Sequence, residues 1–227
     1  MKVRNGFVSN SSSSSFLIVF PKKPVNPDMI FKYIFNKQED DLYEETMSTR
    51  EISEKVFEDI KNNKKTSKKL IIDFYEELIY SKIYDIQYCL KHDDISKAYD
   101  LISDGNIYIS VDSSILLKLI DLNKLEESYD LKCREMNTKI AKAPDQTTID
   151  SLKNEFMKMP TIYDSNEYKE VYSIIHNMAI ESATKFIEDH ENYWYTMVEY
   201  SDNNPGGCLM EHGGIFRHIE HFRLSKH

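Results

Sequence analysis

Glycine is scarce in this chain, six residues in 227, and there is one tryptophan. Four of those glycines fall in the last 22 residues, and the sequence holds no Walker loop, dinucleotide fingerprint or nucleophile elbow. The devices by which most enzymes of ATP, NAD or acyl transfer announce themselves are therefore missing. Cysteine is rarer still: positions 89, 133 and 208 lie far apart without Cys-x-x-Cys spacing. That excludes a disulfide framework and a cysteine-rich zinc site. No stretch approaches the roughly eighteen apolar residues that cross a bilayer, and the short apolar run near the start follows a polar segment, unlike a signal peptide. Positive charge is also short, 29 basic residues against 38 acidic for a net charge of −9. Such a balance opposes broad binding to the backbone of duplex nucleic acid, which needs a basic face.

What is present supports a packed interior. Hydrophobic residues make up 41% of the chain, with 15 tyrosines and 11 phenylalanines, so a soluble globular protein with one domain spanning 1–227 is expected. Cytoplasm is the expected location.

The most unusual stretch is the first twenty residues, where Ser9, Asn10, Ser11, Ser12, Ser13, Ser14 and Ser15 stand between the apolar pair Phe7-Val8 and the apolar run Phe16 to Phe20. A flexible serine linker has no strand closing on either side of it, so this run reads as a loop held at both ends. Its hydroxyls and backbone N–H groups suit an anion such as phosphate. Residues 1 to 27 carry Lys2, Arg4, Lys22 and Lys23 and no acid, leaving −13 for the remainder. A basic end on an acidic body fits a small anionic ligand.

Along the chain, residues 2–8, 16–20, 106–111, 193–200 and 222–226 read as strands. Helical periodicity runs from Met29 to Ile34; Ser48 with Glu51 forms a capping box for a helix to Ile60; a long helix follows near 68–91, a shorter one at 95–102 and a last long one at 166–190. Leu70, Ile71, Phe74, Leu78, Ile79, Ile83, Ile86 and Leu90 make one apolar stripe, and Tyr168, Val171, Tyr172, Ile175, Met178, Ala179, Ala183 and Phe186 another. From 114 to 160 apolar positions step by three and four on both sides of Ala143-Pro144, which predicts a helical hairpin, a subdomain that projects or packs on the core. It offers a surface for a homo-oligomer or a host protein. The fold class is thus α+β: a small, mostly antiparallel sheet of N-terminal, middle and C-terminal strands, covered by long helices. Tyrosines along the helices read as core, and His92 and His190 as solvated helix ends.

The second concentration of chemistry is the tail. His212, His218, His221 and His227 are four of seven histidines, accompanied by Glu211, Arg217 and Arg223. Histidine nitrogens and a carboxylate can hold zinc, manganese or iron, although the spacing matches no standard zinc motif. Without a metal, Arg217 and Arg223 can bind phosphate while one of His212, His218 or His221 does acid–base work, with Glu211 beside it. A serine of the 9–15 run activated by such a histidine would be a nucleophile.

The opening Arg4-x-Gly6-Phe7-Val8-Ser9-Asn10, followed by Ser11 to Ser15 and Phe16, resembles the N-terminus of a set of uncharacterised bacteriophage and prophage proteins, and the Glu211-His212-Gly213 tail is similar to the end of some of them. The resemblance implies a phage or prophage-bearing bacterial cell and carries no catalytic residue. It also implies that the two ends belong together, with terminal strands in one sheet and the serine run beside the tail. The leading expectation is a site for a nucleotide-like anion at the joined termini, acting as a metal- or histidine-assisted phosphoesterase. Two alternatives are a non-catalytic phage binder that sequesters a nucleotide signal or inhibits a host protein, and a virion or assembly component.

Overall fold

An uninterrupted apolar run such as Phe16 to Phe20 has no polar side to turn to water, so as a strand it must be covered on both faces. The computed structural model, which describes residues 13–36, 42–43, 47–92, 94–103, 115–201, 210 and 214–226, meets that demand. In chain order the elements are β1 (Ser13–Phe20), α1 (Pro27–Phe35), β2 (Leu42–Tyr43), β3 (Met47–Ser48), α2 (Thr49–Ile60), α3 (Lys68–Lys91), α4 (Ile95–Ser103), α5 (Ile115–Ala141), α6 (Gln146–Met157), a 3-10 turn at Ile162–Asp164, α7 (Asn166–Asp189), β4 (Trp194–Ser201) and β5 (His221–Lys226). The fold is α+β, mostly helical, with a three-stranded antiparallel sheet in the order β4-β1-β5. The expected strands at 2–8 and 106–111 lie outside the described residues.

The chain divides into two compact units, Met1–Phe74 with Phe186–His227, and Tyr75–Lys185. The single domain expected from sequence, with 114–160 set apart, thus meets a division in which the second unit contains 114–160 but is wider.

In the first unit, β1 is the central strand. Opposite it, Phe16 faces Val198 and Arg223, and Ile18 faces Thr196 and His221. Strand alternation then sorts the side chains. Phe16, Ile18 and Phe20 join Ile30, Ile34, Ile52, Val56, Ile60 and Phe216 in one apolar cluster, so α1 and α2 cover that face. On the other face Phe186, near the end of α7, meets the rings of Tyr195 and Phe222 at 5.2 and 5.6 Å. Local chemistry sets the helix starts. Asn26 caps α1 by accepting from the Met29 N–H, with proline in the first turn. Ser48 and Glu51 form the capping box of α2 that the sequence predicts.

In the second unit α5 packs against α6 and the 3-10 turn, with Asp145 capping α6 through the Thr148 N–H. Ile115, Leu119, Leu122 and Met136 of the predicted seam are buried. Among its polar ties, Gln87 donates to Asn123 at 2.8 Å, and Lys118 pairs with Glu170. Two stripe assignments need correction, because Leu70 and Tyr172 are exposed. Among the described residues no helix is long and apolar enough to cross a membrane.

Candidate functional site at the paired termini

β5 is an edge strand that alternates an apolar face, Phe222 and Leu224, with a polar one, His221 and Arg223. Pairing with β1 places Arg223 opposite Phe16, with Ser14 two pairs further along, opposite Ser225. The Arg223 Nε–H donates to Ser14 Oγ at 3.0 Å, and the guanidinium lies over the Phe16 ring, 5.9 Å from its centre. His221, opposite Ile18 on the same face, approaches Ile219 O with Nδ1 at 3.0 Å. A carbonyl oxygen only accepts, so Nδ1 carries the hydrogen, and in the neutral ring Nε2 is the basic nitrogen. Phe16 and Phe216 border that ring at 6.3 and 6.0 Å. Ser14, Arg223 and His221 therefore run along one face of the β1–β5 pair.

This corrects the reading of the serine run at its C-terminal end. Ser13, Ser14 and Ser15 are strand residues, not loop residues; Ser14 and Ser15 are buried. A strand claims their backbone groups for the ladder, and burial removes these two hydroxyls from service as nucleophiles. Arg217 and His218 lie in the exposed turn before β5, where Arg217 Nε donates to His218 Nε2 at 3.1 Å. Arg4, Ser9, Asn10, Ser11, Ser12, Glu211 and His212 lie outside the described residues. Among the described residues no group of three or more His, Cys, Asp or Glu could hold a metal ion; Glu211 and His212, expected to join His218 and His221 in such a group, are not described.

His190, expected as a solvated helix end, is 4% exposed. Its Nδ1 lies 2.7 Å from Phe186 O and its Nε2 2.8 Å from Glu220 Oε2. The carbonyl requires Nδ1–H, so the second contact holds a proton between Nε2 and the carboxylate, as in an imidazolium–carboxylate pair. Glu220 also uses its backbone oxygen to accept from the Val19 N–H at 3.0 Å. The pair pins the end of α7 to the strand that carries His221 and Arg223. Spacing from Phe186 to His190, four residues on a helix that packs on the sheet, was the available signal.

A separate cleft of about 320 Å3 lies between α2 and β4, lined by Lys55, Asp59, Asn63 and residues 197–201. Tyr200 Oη is buried there without a partner at hydrogen-bond geometry. Burial, and then the charge of the neighbouring Asp59 carboxylate, push its pKa well above the ordinary 10.0. The folded-state value is raised, so the phenol adds no pH slope below the unfolded value and stability falls as pH rises above it. Tyr200→Phe is expected to be as stable as the parent, or up to about 1 kcal/mol more stable, at neutral pH. In thermal unfolding between about pH 9 and 11 it should lose stability less steeply, by up to about 1.4 kcal/mol per pH unit. Tyr168 and Tyr195 are raised too, chiefly by burial, so part of the alkaline slope stays.

Compared with known proteins, the chain matches no family model, no curated protein and no solved structure.

Proposed function

We propose that the paired termini form a phosphate-recognising site for a nucleotide-like ligand, with Arg223 as its cation and His221 as its acid–base group. The observation that supports this is the Arg223–Ser14 hydrogen bond across the β1–β5 pair, with His221 two residues along on the same face. A guanidinium held by a serine and set against an aromatic ring is oriented before any anion arrives. A histidine with Nδ1 committed to a carbonyl presents Nε2 for proton transfer. Histidine-assisted hydrolysis of a phosphoester is the activity this set favours, and holding the nucleotide intact is the second use of the same site. Within this proposal either use occurs in the cytoplasm of an infected or prophage-bearing bacterium, the setting implied by the N-terminal motif that resembles phage proteins.

Binding and turnover of a panel of nucleotides and bis(p-nitrophenyl) phosphate test it. Arg223→Ala is expected to weaken binding by about 10- to 100-fold, the range for a charge-assisted hydrogen bond. His221→Ala should abolish turnover while leaving binding within about threefold. Unchanged binding in Arg223→Ala would overturn the site. Unchanged turnover in His221→Ala would remove the histidine mechanism, and an intact nucleotide released on denaturation would mark sequestration.

A further inference from the structure

Tyrosines spaced along α3 and α7 look in sequence like core, but Tyr80, Tyr84 and Tyr172 are 44%, 63% and 47% exposed. Within the 75–185 unit, Tyr80 and Tyr84 of α3 and Tyr168 and Tyr172 of α7, each pair one turn apart, line a single cavity of about 40 Å3. Gln87 and Glu126 stand in the same wall, and Gln87 donates to Asn123 while Glu126 pairs with Lys91. Scattered exposed tyrosines need no explanation, whereas four on two helices converging on one hollow form a constellation.

We propose that this cavity is an aromatic cage for a quaternary or highly methylated ammonium group. Three observations converge on that occupant. Four tyrosines line this hollow, and the π face of a tyrosine ring attracts a cation without hydrogen-bonding it. Burial, and then a hydrogen bond with Tyr80, raise the Tyr168 pKa, so this phenol stays neutral and adds no anionic character to the site. The unit itself carries 20 acidic and 13 basic residues, so −7 of the chain's −9 resides there. Size then limits the ligand. The hollow is about three times what one water needs and far below the roughly 300 Å3 of a site for a drug-sized molecule. It admits a compact head group, not a nucleotide. Methylation matters because a primary ammonium gains most from a carboxylate, and Lys91 already occupies Glu126; a methylated one cannot make those bonds and gains most from rings.

Choline and its uncharged isostere 3,3-dimethyl-1-butanol, each titrated into the full chain and followed by NMR shifts, separate charge from shape. Choline is expected to bind at least tenfold more tightly than the isostere. Tyr84→Ala and Tyr172→Ala should each weaken choline at least fivefold. Tyr84→Phe, which keeps the ring, and Tyr88→Ala, on the same helix but outside the cavity lining, should match the parent. The substituted side chains are exposed, and circular dichroism confirms that each variant is folded. Equal affinity for choline and the isostere, no shift at 50 mM choline, or full binding by Tyr84→Ala would each overturn the cage.

Discussion

Phe20→Ala is expected to destabilise the sheet-bearing unit by about 3–5 kcal/mol. The residue ends β1, is fully buried, and has the rings of Trp194 and Tyr33 at 5.8 and 5.9 Å. Truncation removes its transfer energy and leaves a cavity in a cluster fed by β1, α1, α2 and β4. No single neighbour can collapse into that space, because each is held by its own strand or helix. Urea unfolding followed by the fluorescence of Trp194, the one tryptophan in the chain, measures the loss directly. A shift below about 1 kcal/mol would mean that β1 is not the centre of this core.

His190→Ala is expected to cost about 2–4 kcal/mol in the same unit. The substitution removes a buried ring whose centre lies 4.4 Å from that of Phe186, and with it two hydrogen bonds. Glu220→Gln should cost about 1 kcal/mol or less, since the glutamate side chain is about half exposed and a surface carboxylate is screened by water. The two variants thus separate packing from charge. If Glu220→Gln costs as much as His190→Ala, the ion pair dominates over the packing of the ring. A cost below about 1 kcal/mol for His190→Ala would mean that the buried imidazole is not a structural pin. The effect reaches the candidate site because Glu220 immediately precedes His221.

Helix positions were legible because they depend on neighbours in sequence. The capping box at Ser48 and Glu51, and the break at Ala143-Pro144 before the Asp145 cap, are local chemistry; α2 and α6 begin, and α5 ends, within a residue or two of where that chemistry puts them. The terminal strands were legible for a similar reason, since Phe16 to Phe20 and Phe222 to Leu224 are β-prone in any context. Aromatic residues at helical spacing were not. On α3, Ile79 is buried while Tyr80 beside it is exposed, and a period of 3.6 in a helix rich in both types allows either to lie on the inward face. The same ambiguity misplaced Tyr172 and Leu70.

By itself the sequence determined the class α+β, the starts of capped helices such as α2, and the presence of strong strand formers at the two termini, all set by interactions over a few residues or by apolar runs that must be covered. Only the tertiary structure decided that β1 is the central strand, that Ser14 is buried as the acceptor for Arg223, and that His190 meets Glu220. Those last two contacts join residues 209 and 30 positions apart. Contacts at such separation follow from which faces the packed elements must bury together, which no local pattern encodes.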